Sequence, residues 1–362
     1  MKAITGFPPA ASCSESIRLA VVVVHYAPEE LAHACLRSVL AADGSDGMCL
    51  VFVDNSATAT PALRRRVQDA HGLYLHYPEN LGFAAAVNVA LVHARQRFPD
   101  AIVVLNSDVR ATSQALRRLS ETLRDPTIGI AGPALLSASS RRRYWNVGSV
   151  SRGPRCRPQS LRHDAPYDRN LRSVEDVGFV CGAAFALRSM VLEQVGFLSE
   201  EFFLYFEDAE FSYRVRREGL RTVVVPEARM FHHGGAGVRG VGCGVATYYR
   251  TRNRLLFSRM WQPDRFTGRV CRGASVLWLF VRALRRGLCG QAAEAWSLSR
   301  AARDHLLGRY GKRGRAHLLS SPIANPGRFT EASVCRAADR APRAPKHALD
   351  HSSSSPRTTA AR

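Results

Sequence analysis

The feature that most constrains the fold is a rhythm in the first 125 residues. Short valine-rich runs at 19–24, 48–53, 73–76 and 101–105 alternate with segments whose apolar residues recur at helical spacing. Short apolar runs rich in β-branched residues suit strands covered on both faces, and a period near 3.6 suits the helices that cover them. Their repetition predicts a doubly wound α/β sheet with helices over 28–40, 61–69 and 82–95 and a fourth capped by Thr112. Further strands are expected at 128–135 and at 221–225, the latter ended by Pro226, with extended chain at 174–180. Sheets of this kind bind ligands beyond the carboxyl ends of their strands, where His25, Asp54 and Asp108 fall.

Charge divides the chain unevenly. Of a net +21, residues 241–362 carry +17, with 23 Arg and Lys against six Asp and Glu. Such an asymmetry favours docking to an anionic surface, although a chain with only three lysines can also owe its arginines to genomic base composition. Nine cysteines without a CxxC pair fit neither a disulfide framework nor a structural zinc site, so a reducing cytoplasm is expected. No signal peptide or membrane span is evident, but the apolar segment 274–286, broken by Arg282 and followed by arginine, suits lying on a membrane. The expected organisation is a flexible leader (1–16), a catalytic domain (17–240), a basic helical extension (241–310, helices at 245–260, 274–286 and 291–307) and a largely disordered tail (311–362). The segment 141–172, with nine arginines, reads as an irregular loop over the site or as a solvated surface loop.

The chemistry is expected around EFFLYFEDAEFSYR at 201–214. Asp208 has the character of a general base, with Glu207 and Glu210 as neighbours that tune it; a capping box, in which these acids satisfy helix amides, is compatible with that role. Asp108, just past a strand, offers a hard oxygen to a divalent cation, or caps a turn. Asp54 with Asn55 can hold a nucleobase or ribose, or cap a helix. The small residues of 181–184, Gly182 among them, admit a close ligand or another backbone. His232 and His233 offer a nitrogen ligand or an ordinary surface pair.

Seven stretches occur in the order they take in a known family: VVVVHYAPEE (21–30), VFVDNSA (51–57), ENLGFAAAVN (79–88), VVLNSDV (103–109), GFVCGAAFALRS (178–189), VGFLSEEFFLYFEDAEFSYRVRREG (195–219) and VPEARMFHHGG (225–235). The sequence resembles the family 2 inverting glycosyltransferases of the GT-A fold, and within them the bacterial rhamnosyltransferase-like branch of cell-surface polysaccharide assembly. The resemblance implies a Rossmann-like nucleotide-diphospho-sugar transferase domain with a C-terminal helical extension. It also implies that Asp54 binds the nucleobase, that Asn80, Gly82 and Asn88 lie beside the sugar nucleotide, and that Asp208 is the catalytic base. Asp108 then ends a DxD-type motif whose first position is Asn106, and His232 completes the site of a divalent cation, Mg²⁺ or Mn²⁺. Glu210 stands where aspartate is usual, in a position associated with the acceptor.

The expected reaction moves a sugar, L-rhamnose from dTDP-rhamnose being one candidate, to a glycan or polyprenyl-diphosphate-linked acceptor. Peripheral attachment to the anionic inner face of the cell membrane is part of that expectation. A nucleotidyltransferase would carry a glycine- and lysine-rich phosphate loop near the first strand, and no lysine lies between Lys2 and Lys312. A nucleic-acid-binding protein is suggested by charge alone and lacks its motifs, so no specific nucleic acid is expected as a partner. A catalytically inactive scaffold is disfavoured by Asp54, Asp108, Asp208 and His232 occurring together.

Overall fold

The structure is a computed structural model that describes residues 17–313 apart from 27, 98, 154, 235–242 and 262–264. The expected leader and nearly all of the expected tail lie outside the described residues. Strands β1 (Leu19–His25), β2 (Cys49–Asp54), β3 (Leu73–His76) and β4 (Ala101–Asn106) form the parallel half of one sheet in the order β4-β1-β2-β3. Every residue of β1 is buried, which explains its unbroken run of apolar side chains. Val21 and Val23 face a core closed by α1 (Glu29–Leu40), α2 (Pro61–Asp69) and α4 (Ala115–Thr122). Val22 and Val24 face the opposite core, closed by α3 (Phe83–Arg95), α5 (Val191–Gln194) and α6 (Glu207–Arg217). The register sets His25 beside Asp54 and Val24 beside Asn106, so these strands end level with one another.

The second half of the sheet departs from a purely parallel winding. It contains β5 (Val109–Ala111), β6 (Ile128–Ser137), β7 (Tyr144–Asn146), β10 (Glu175–Asp176), β11 (Ala184–Arg188) and β12 (Arg221–His232). β11 runs antiparallel between β4 and β6. Its first residue, Ala184, is the last of the small residues 181–184 and pairs with Leu105 of β4, so part of that patch admits another backbone. β12 does not end at Pro226: its pairing with β6 shifts between Val225 and Arg229, and the proline sits in that irregularity, where its missing N–H breaks no ladder bond. The Thr112 hydroxyl donates to the Arg229 carbonyl, and α4 starts behind Gln114 without a side-chain cap. The arginine-rich 141–172 segment is not irregular throughout. It supplies β7 and a small hairpin of β8 (Ser149–Arg152) and β9 (Arg157–Ser160).

Three helices follow: α7 (Cys243–Trp261), α8 (Arg265–Leu288) and α9 (Ala292–Leu306). α8, at 24 residues, begins well before the apolar stretch that predicted it. Leu255, Leu279 and Leu298 belong to one buried cluster that joins the three helices. Phe257 packs with Phe202 and Phe206, tying α7 to the loop before α6. Residues 311–313 are docked rather than loose, since the Gly311 amide donates to the Glu201 carbonyl and the Arg313 amide to the Tyr249 hydroxyl. Among the described residues no helix is long and apolar enough to cross a membrane, and Cys35, Cys49, Cys156, Cys181, Cys271 and Cys289 are free thiols.

Candidate active site

A cavity of 410 Å³ opens at the carboxyl ends of β1 and β4, opposite the start of α6. Asp108, Asp208, Glu207, His232, Gly182, Asn80 and Gly82 all line it. Asp108 follows β4 and His232 ends β12. The short β5 pairs antiparallel with the end of β12 and brings the His232 Nε2 to 3.4 Å from the Asp108 Oδ1. Both side chains are buried, yet Asp108 Oδ1 and His232 Nδ1 have no hydrogen-bond partner. Trp145, from the arginine-rich segment, stands edge-on to the His232 ring at 5.1 Å between centroids. His233 is exposed and does not line the cavity, which assigns the inward position to His232.

Asp208 sits in the first turn of α6 and is partly exposed to the cavity. Its carboxylate accepts from the Gly182 amide at 2.8 Å and from the Ala209 amide at 2.8 Å. Burial raises its pKa, and the amides oppose that shift. Glu207 is raised further, first by burial and then by the charge of Asp208, and its Oε2 has no partner. Cys181, beside them, is held as a thiol, its pKa pushed up to about 12 by burial and by Asp208.

The loop ahead of α6 is strained. Phe203, Tyr205 and Phe206 have φ of 59°, 69° and 76°, a region that side chains with a Cβ seldom occupy. Two clamps hold it. On one side the Phe203 carbonyl accepts from the Phe83 amide, and Gly82 makes that approach possible: with φ 86° it has no Cβ, which would lie 2.4 Å from the Phe203 ring. On the other side α7 contributes Arg252 and Asn253. Asn253 donates to the carbonyls of Phe202, Leu204 and Tyr205, while the fully buried Arg252 donates to those of Glu201, Phe202 and Gly311. The basic extension is thus part of the site's scaffold.

Three of the expected substrate contacts stand off the cavity. Asp54 is fully buried and its oxygens are occupied by Ser56, Tyr74 and the Thr60 amide. Its neighbour Asn55 reaches the wall instead, donating to Asn80 Oδ1 and accepting from the Leu81 amide. Asn88 brackets Leu198, bonding both its amide and its carbonyl, and donates to Glu200. Glu210 forms a two-pronged buried pair with Arg214 at 2.8 and 2.9 Å. Sequence reasoning missed Tyr26, Trp145, Ser160 and Arg250 as lining residues. They come from a loop, the strands β7 and β9 and the helix α7, far apart in the chain, and only the tyrosine beside His25 carried a positional signal.

The cavity suits a divalent cation held jointly with a ligand. Among the described residues no group of three or more His, Cys, Asp and Glu could hold a metal by itself. Asp108 and His232, each with an unpartnered buried atom, could supply two protein ligands and would leave the remaining positions to phosphate oxygens and water.

Residues 17–263 match the family described as "Glycosyltransferase like family 2". The chain belongs to that family and is an enzyme of the GT-A-like glycosyltransferase fold. It is 25% identical over 242 residues to a low-salt glycan biosynthesis hexosyltransferase of Haloferax volcanii, covering 66% of this chain and 75% of that protein. It is 24% identical over 246 residues to a dTDP-rhamnosyl transferase of Shigella flexneri, covering 66% and 79%. An N-acetylglucosaminyl-diphospho-decaprenol L-rhamnosyltransferase of Mycobacterium tuberculosis is 26% identical over 242 residues, covering 59% and 76%. Among solved structures, a mannosyltransferase of Pyrobaculum calidifontis in complex with GDP-Man and Mn²⁺ has a TM-score of 0.50 at 16% identity, covering 82% of this chain and 88% of that one.

Proposed function

We propose that the protein transfers a hexosyl group from a nucleotide sugar to a hydroxyl of a glycan on a polyprenyl-diphosphate carrier, inverting the anomeric carbon. The single observation that carries this reading is the placement of Asp208, held by two amides, in the same cavity as the Asp108–His232 pair. Asp208 accepts the proton of the acceptor hydroxyl as its oxygen attacks the anomeric carbon. The bond from that carbon to the nucleoside diphosphate breaks on the opposite side, so one displacement inverts the centre. Asp108 and His232 would hold Mg²⁺ or Mn²⁺, which supplies neutralisation of the departing diphosphate. Asn55 and Asn80 would hold the nucleoside, and Gly182 keeps Asp208 in place while leaving room for the sugar.

L-rhamnose from dTDP-rhamnose is the donor this reading favours. It is supported by relatives named as rhamnosyltransferases and by the aromatic lining of Phe83, Phe203 and Phe206, which suits a deoxy sugar's methyl group. Cytoplasmic attachment to an anionic membrane surface is supported by α8. Val270, Leu277, Val281, Leu284 and Leu288 are exposed, recur at helical spacing, and are accompanied by Arg285 and Arg286. The test is transfer from dTDP-, UDP- and GDP-sugars to a lipid-linked acceptor, with and without chelator. Transfer from dTDP-rhamnose with inverted product, abolished by EDTA, is the expected result; transfer from another donor, retention of configuration or indifference to EDTA overturns the corresponding part. Sedimentation with phosphatidylglycerol vesicles should be lost in Leu277→Glu/Leu284→Glu, and failure of the unaltered protein to sediment removes the membrane proposal.

A further inference from the structure

The arginine-rich segment and the first helix meet at a second cavity, also 410 Å³, that the transfer reaction does not use. Arg37 from the last turn of α1, Arg110 from β5 and Arg141 line it, together with Ser38, Thr112 and Phe231. Arg110 and Arg141 both stack on the Phe231 ring, with guanidinium carbons 5.9 and 5.8 Å from its centroid. Arg110 Nε is buried without a hydrogen-bond partner. None of the three arginines is ion-paired among the described residues, whereas Arg117 and Arg118 on α4 both pair with Glu121. Three guanidinium groups gathered around one cavity with no carboxylate between them repel one another, and an anion with several oxygens relieves that repulsion while filling their donors.

We infer that this cavity is a binding site for a phosphate or diphosphate group, distinct from the Asp108–His232 site. Guanidinium forks match phosphate oxygens in pairs, and stacking on Phe231 fixes the planes of two of them before the ligand arrives. The two sites share one ladder: Val109 pairs with His232, and the next step pairs Arg110 with Phe231. A dianion drawn to Arg110 therefore bears on the strand that positions His232. The inference rests on charge and cavity shape and does not depend on which sugar or acceptor the enzyme uses.

The experiment is titration of the full chain with inorganic pyrophosphate in low salt and EDTA, conditions that leave the carboxylate-lined Asp108–His232 site without a cation. Binding should weaken roughly tenfold or more in Arg110→Gln/Arg141→Gln, the loss expected for removed charge-assisted hydrogen bonds, and should persist in Asp108→Asn. In a parallel arm the protein is sedimented with phosphatidylcholine vesicles with and without phosphatidic acid. Pyrophosphate binding lost in the double variant supports the site with a free ligand. Retention only by phosphatidic acid vesicles, again lost in the double variant while Leu277→Glu/Leu284→Glu still binds, supports it with a lipid-borne phosphate. Absence of both, or binding equal in the double variant and the unaltered chain, overturns the inference. Both altered arginines are at least partly exposed, so the variants should keep the melting temperature of the unaltered chain.

Discussion

Helix α6 presents the same kind of residue to two environments within one turn. On its core side Glu210 is nearly inaccessible, and Arg214 takes both of its oxygens. Two further Arg214 donors go to the carbonyls of Val195 and Phe197. On its cavity side Glu207 is buried and Asp208 partly so, neither is ion-paired among the described residues, and burial raises the pKa of both. A compensated buried charge is architecture, since removing one partner strands the other. An uncompensated pair is tolerated where a ligand or a proton completes it, and that is where chemistry is to be sought. The two sides should therefore answer mutation in different measurements.

The largest expected effect is on the cavity side. Asp208→Asn keeps the shape and the Gly182 contact but removes the base, so transfer should fall by roughly 10² to 10⁴-fold with the melting temperature nearly unchanged. A variant that retains full turnover breaks the assignment. On the core side Glu210→Ala leaves Arg214 buried and unpaired, and should cost about 3 to 5 kcal/mol in denaturant unfolding. Were Glu210→Ala as stable as the unaltered chain, the claim that its charge is structural would fail.

The strained loop between the two sides gives a third test. Asn253→Ala removes the donor shared by the carbonyls of Phe202, Leu204 and Tyr205, at a cost of roughly 2 to 3 kcal/mol. Because Phe203, Tyr205 and Phe206 line the cavity, transfer should decline along with stability. Undiminished transfer would mean that the loop keeps its conformation without α7. Glu207→Gln should act with the opposite sign. A carboxyl whose folded pKa is raised binds more protons folded than unfolded, so stability is lost as pH climbs from the unfolded value through the folded one. The glutamine variant should be more stable than the unaltered chain by roughly 1 to 2 kcal/mol at neutral pH and no more stable at pH 3. Parallel pH profiles for the two proteins would show that Glu207 is not uncompensated.

Much of this was legible because strand ends are. The valine-rich runs located β1, β2 and β4, and Asp108 just beyond β4 meets Glu207 and Asp208 of α6 in the cavity, whereas His25 and Asp54 at the other two strand ends do not line it. What was not legible was the direction in which a polar side chain points. Asp54, Asn88 and Glu210 occupy motif positions, but their atoms are spent on Ser56, Tyr74, Leu198 and Arg214, and no spacing rule distinguishes a carboxylate that faces inward from one that faces a ligand. Strand β11 was hidden because its start, Ala184, lies in the small-residue patch 181–184. The role of Arg252 and Asn253 was hidden because a basic helix suggests a surface, whereas these two side chains are buried against the Glu201–Tyr205 backbone.

The smallest expected effect is also the one that separates position from chemistry on the cavity side. Gly182 donates its amide to Asp208 Oδ2, and a Cβ added there would lie 3.3 Å from the Asp208 Cβ and Oδ2. Alanine at this position keeps the amide and the base, but Asp208 must yield by a few tenths of an ångström. A displacement of that size in the reacting geometry should lower kcat by roughly three- to tenfold, less than the 10²-fold associated with a full ångström. The pH dependence of kcat should stay where it was, because the hydrogen bond that opposes the burial of Asp208 is retained. If Gly182→Ala instead moves the pH profile without slowing the plateau, Gly182 sets the acidity of Asp208 rather than its position, and the amide contact becomes the more important half of the pair.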